Sequence, residues 1–173
     1  ARHPDWSEGK VTHSAWAIGM AAMKFAVLRQ DADKTLVFDI KEAIAFEGAT
    51  GPYCQYSIMR LSSIIRKAEK AGHTLVTNGP LSTDFPHASE KHLALQLANF
   101  PRLVELATRD KRPSVMAQWC FETAQAVNEF YRDVPIMDGD AVLLPGRLRL
   151  ADAARQVLTL GLDLLAIPLP DEL

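Results

Sequence analysis

The stretch Phe46-Glu47-Gly48-Ala49-Thr50-Gly51-Pro52-Tyr53-Cys54-Gln55-Tyr56 constrains the chain most, because it dictates where one helix stops and another starts. Gly48 suits the positive-φ turn that closes a preceding helix. Thr50 or Gly51 can serve as the N-cap, and Pro52 fits the first helical turn, where its missing N–H costs nothing. Tyr53 and Tyr56 then stand three apart and share a helix face. At about 100° per residue, Tyr53, Tyr56, Arg60, Ser63 and Lys67 fall within an arc of roughly 80°. Leu61, Ile64, Ile65 and Ala68 lie beside that arc. One edge of the helix is therefore aromatic and cationic, a platform suited to stacked bases and phosphates. The competing reading is packing, since tyrosines at this spacing commonly half-bury the ring and leave the hydroxyl wet.

The rest of the chain reads as helices separated by breakers. Residues 1–10 form a polar linker, with Trp6 as its one large apolar group. A helix is predicted over Ser14–Arg29, capped by Ser14, with Trp16, Met20, Met23 and Val27 as its apolar stripe. That run is apolar almost all round, as ordinary core or as a face against a larger partner. Thr35–Phe38 is a short extended piece. Asp39 caps a second helix with Glu42 three residues on, and Ile40, Ala43, Ile44 and Phe46 supply its inner face. The long third helix, Pro52–Ala71, ends at Gly72, and Lys67 and Lys70 complement its dipole. His73–His87 is a loop broken by Pro80 and Pro86. Helices follow over Ser89–Leu97, Asn99–Arg109, Pro113–Arg132 and Gly146–Leu165. The expected class is all-α, an antiparallel bundle of about six helices.

Several of these segments together resemble a known family. Phe-Glu-Gly-x-Thr-Gly-Pro-Tyr-x-Gln-Tyr, with Arg60 and Ser63–Ile64 beyond it, resembles the opening of the anticodon-binding domain (DALR type) of arginyl-tRNA synthetases. Upstream, Ile18–Gly19–Met20, Lys24–Phe25 and Val37–Phe38–Asp39–Ile40 are similar to the segment joining that family's catalytic domain to its helical bundle. Downstream, Gln118, Val127–Asn128, Phe130–Tyr131, Arg147–Leu148–Arg149–Leu150 and Arg155–Gln156–Val157–Leu158 continue the likeness. The resemblance implies residues 1–47 as a connecting segment with two helices and 48–173 as the anticodon-binding bundle. It implies anticodon-loop contacts from Tyr53, Tyr56, Tyr131 and the terminal Leu173. Gln55, Arg60 and Arg147 would add polar or phosphate contacts. Leu173 stands where the family usually ends in Met, and Ala49 where Asn is common.

Composition limits the functions open to the chain. Its 173 residues carry a net charge of −2, so it is not a bulk polyanion binder, and any RNA site must be a local patch. Cys54 and Cys120 are too isolated for a CxxC or zinc motif and are expected as reduced, buried thiols. No signal peptide or unbroken membrane-length apolar run is read; Val157–Leu169 is interrupted by Gly161, Asp163 and Pro168. There is no glycine-rich phosphate loop, no parallel βαβ pattern, and neither nucleotide motif of the synthetase family. The five histidines fall mostly in tails and loops and are expected in solvent. Catalytic residues, metal and cofactors are therefore not expected on this chain. By resemblance, ATP and Mg belong to the full-length arginine–tRNA ligase. The implied partners are tRNA(Arg) and that enzyme's catalytic domain, with no DNA or membrane, in the cytoplasm. A free-standing helical bundle that binds tRNA or a protein is the alternative.

Overall fold

Ser7, not Ser14, starts the first helix in a computed structural model that describes residues 5–75 and 85–170. The elements are α1 (Glu8–Leu28), α2 (Ile40–Ala43), α3 (Gly51–Lys70), α4 (Ala88–Ala98), α5 (Phe100–Asp110), α6 (Pro113–Asp133) and α7 (Leu144–Leu164). No strand occurs among the described residues, and the all-α expectation holds. Most of the expected loop, 76–84, lies outside them, as does Leu173.

The punctuation around Gly48 works as its residue types dictate. Gly48 takes φ +76°. Thr50 is the N-cap, with extended backbone, and its Oγ1 accepts the Tyr53 N–H at 3.1 Å. The same hydroxyl donates to the Ala45 carbonyl at 2.6 Å, which ties the approach loop to the helix start. Gly51 has a separate duty. A Cβ there would fall 2.3 Å from the Ala21 carbonyl oxygen, so α1 and α3 meet backbone to backbone.

That close approach overturns the expected stripe on α1. Ala17, Ala21, Ala22 and Phe25 face the bundle, whereas Trp16, Met23 and Val27 are exposed. Only small side chains fit where two helix backbones nearly touch, so the large apolar residues turn outward. Ser14 is buried rather than capping, and its hydroxyl has no hydrogen-bond partner among the described residues. By length and composition alone α1 is apolar enough to cross a bilayer, contrary to the expectation of no apolar run of that length. In the fold its inner face belongs to the core.

The second helix is also corrected. Asp39 caps it as expected, its Oδ1 accepting from Lys41 N–H and Glu42 N–H at 2.7 and 3.2 Å. It is only four residues long, too short to present a face. Ala43 alone is buried, and Ile40, Ile44 and Phe46 are exposed.

Helices α3, α4 and α6 close around α7, and α5 packs on α6. Phe25, Ile58, Trp119, Leu158 and Leu162 form one core cluster, and Leu61, Leu93, Phe130, Leu148 and Leu150 form a second. The early halves of α3 and α6 therefore meet the late half of α7, and their late halves meet its start. Helix α7 thus opposes both, while α3 and α6 run the same way. Trp119 is core, and its indole N–H donates to the Gln96 carbonyl at 3.0 Å. Cys54 and Cys120 are free and buried. Burial raises both thiols well above their ordinary range, which leaves them unreactive.

Candidate nucleic-acid interface

Because α3 and α6 run alongside each other, residues far apart in sequence share one surface. Arg60 on α3 reaches across to α6. Its Cζ lies 4.7 Å from the Tyr56 ring centroid and 4.5 Å from the Tyr131 ring centroid. A guanidinium over two aromatic faces is a double cation–π contact. Its Nη2 also donates to the Tyr56 hydroxyl at 2.9 Å, and its Nη1 to Asn128 Oδ1 at 2.5 Å. Tyr56 and Tyr131 remain 36% and 41% exposed. The cluster therefore offers two aromatic rings and a charge to solvent on one face. Lys67, further along α3, is exposed as well.

Phe46 joins this cluster from the loop before α3. Its exposed ring meets Tyr56 edge-on, with centroids 6.2 Å apart and planes at 73°. Sequence reasoning assigned Phe46 to an inner helix face. The signal that could have found it is Gly48, since a positive-φ turn folds the preceding residues back over the new helix.

The other site candidates separate from the cluster. Tyr53 is half-buried and tilts against Phe121, 5.9 Å between centroids. Burial pushes its hydroxyl above the ordinary phenol pKa. Gln55, expected as an RNA contact, is 0% exposed. Its Nε2 donates to the carbonyls of Ala17 at 3.1 Å and Pro168 at 2.7 Å, so it staples α1 and the chain after α7 to α3. Arg147, also expected to contact RNA, is 8% exposed and faces inward. Its Nε donates to Glu90 Oε1 at 2.7 Å and its Nη1 to the Pro135 carbonyl at 3.3 Å. Both residues act within the fold. Leu173 lies outside the described residues.

Among the described residues, no group of three or more His, Cys, Asp or Glu side chains could hold a metal ion. The chemistry available at this surface is stacking, hydrogen bonding and charge.

Residues 54–173 match the DALR anticodon binding domain. The arginine–tRNA ligase of Thermococcus kodakarensis is 34% identical over 99% of this chain, and that of Treponema denticola 37% over 92%. The chain spans only 27% and 28% of the length of those two relatives. The solved arginyl-tRNA synthetase of Thermus thermophilus superposes with a TM-score of 0.86 at 30% identity, over 99% of this chain and 29% of that one. The resemblance read from Gly-Pro-Tyr-x-Gln-Tyr is thereby borne out, and the chain belongs to the DALR anticodon-binding domain family in the form found in arginine–tRNA ligases.

Proposed function

We propose that this chain binds the anticodon loop of arginine-accepting tRNA, as the RNA-reading part of an arginine–tRNA ligase. The observation that carries the reading is the exposed Tyr56–Arg60–Tyr131 cluster, because unpaired loop bases are read by stacking on rings and guanidinium planes. Phe46 borders the same surface. Residues 1–47 are proposed as the connection to a catalytic domain, with 48–173 as the bundle proper. ATP and Mg would act on that catalytic domain, in the cytoplasm.

A titration of an anticodon stem-loop at two salt concentrations tests the proposal. The chain's 19 Lys and Arg are outnumbered by 21 Asp and Glu, and the cluster itself carries one guanidinium, so the salt slope should be shallow. Tyr56→Ala should weaken binding by about 1–3 kcal/mol, and Tyr56→Phe by much less, because the ring face is kept. If Tyr56→Ala leaves affinity unchanged, the cluster is not an RNA surface.

A further inference from the structure

The Arg60 guanidinium sits between two rings on different helices, and something must hold it there. A free arginine side chain samples many rotamers, and ordering it costs free energy at the moment of binding. Asn128, one turn before Tyr131 on α6, removes that freedom. Its amide has two N–H donors and both are used, toward Ser57 Oγ and the Ala124 carbonyl, each at 2.8 Å. Ser57 is itself oriented, its hydroxyl donating to the Tyr53 carbonyl at 2.9 Å. With both donors committed, the amide cannot flip without losing two bonds. Its oxygen is therefore aimed at Arg60 Nη1, 2.5 Å away. The other arm of the guanidinium is taken by the Tyr56 hydroxyl. The order runs from the α3 backbone through Ser57 to Asn128, then to Arg60, and from Arg60 to the two rings.

We propose that Asn128 is a positioning residue for RNA binding, locking Arg60 between Tyr56 and Tyr131 so that the stacking surface is set before RNA arrives. The inference rests on the anticodon-loop reading above and names the residue that prepares its surface. Arg60 then acts chiefly by fixing the two rings, not as a phosphate contact.

Two measurements test it. The first needs no RNA: NMR of the Arg60 guanidinium protons in the whole chain. Rotation about the Nε–Cζ bond should be slow in the parent protein and fast in Asn128→Ala. Slow rotation in Asn128→Ala overturns the proposal. The second is a double-mutant cycle read by stem-loop affinity, well below the unfolding midpoint. Asn128→Ala alone should weaken binding about three- to tenfold, the scale of one long side chain ordered on binding. In an Arg60→Ala background it should change affinity by less than about twofold, because its route to RNA is already gone. A full additive loss there overturns the positioning role. The two ideas fail separately: an unaffected Tyr56→Ala removes the RNA reading, while an affected Tyr56→Ala with additive Asn128→Ala removes only this one.

Discussion

Arg147 carries its charge into a site where Glu90, its partner, is 1% exposed. Glu90 uses its second oxygen to accept the His87 N–H at 2.8 Å, so the pair also fastens the start of α4. Removing one member strands the other as an unpaired buried charge, at a cost of about 3–5 kcal/mol. Arg147→Ala should therefore lower the thermal midpoint strongly. Stem-loop affinity measured well below that midpoint should not change, and a loss of affinity there would restore Arg147 as an RNA contact. Asp31 makes a pH-dependent counterpart at the surface. Ser114, and then Arg112, hold its carboxyl below the usual aspartate range by hydrogen bonding. Since the folded pKa is depressed, its stabilisation is fully present above the unfolded value of about 3.9 and fades as pH falls through the folded one. The midpoint gap between the parent protein and Asp31→Asn should thus be widest above about pH 5 and shrink as pH falls through the depressed folded pKa. A gap that persists at the lowest pH contradicts this role.

At the scale of elements, Gly51 and Gly19 make opposite predictions. Gly51→Ala would place a methyl against the Ala21 backbone and force α1 from α3, costing about 1–3 kcal/mol or more. Gly19 lies mid-helix on α1 with nothing within 4 Å of its Cβ, so Gly19→Ala should stabilise by about 0.5–1 kcal/mol. Chemical denaturation of both variants decides whether the close contact is real. This contact also explains what the sequence could not disclose. The starts of α2 and α3 and the end of α3 were legible because Asp39, Gly48, Thr50 and Gly72 act locally through backbone conformation and capping, whereas the start of α1 at Ser7 was missed. The Tyr56–Arg60 edge was legible because helical spacing alone sets it. The inner face of α1 was not, since which stripe goes inside depends on a glycine in another helix. Gln55 and Arg147 were misread for the same reason. Their partners lie 38, 113 and 57 residues away, so no local pattern shows that the side chains are buried. Asn128 and Phe46 joined the site only once α3, α6 and the preceding loop were brought together.

For the whole molecule, α1 divides its apolar residues between two roles. The small inner residues and Phe25 complete the core, and Gln55 and Lys24 tie this helix to the chain after α7 through the carbonyls of Ala17, Pro168 and Ala166. Stability of the bundle should therefore depend on that inner side. The outer stripe is different. Trp16 is 55% exposed, and Met23 and Val27 lie about two and three helical turns further along the same side. Side chains that already face water contribute little to the folded state, so polar replacements there usually stay within about 0.5 kcal/mol. Met23→Lys and Val27→Lys should leave the unfolding free energy of this chain nearly unchanged, helped by lysine's good helix propensity. Ala21→Leu, on the opposite side, should destabilise by about 1–3 kcal/mol, because the added carbons have no space beside Gly51. Urea unfolding followed by circular dichroism distinguishes the two sides. If the lysine variants unfold as early as Ala21→Leu, the outer stripe is core and α1 sits in the bundle the other way round.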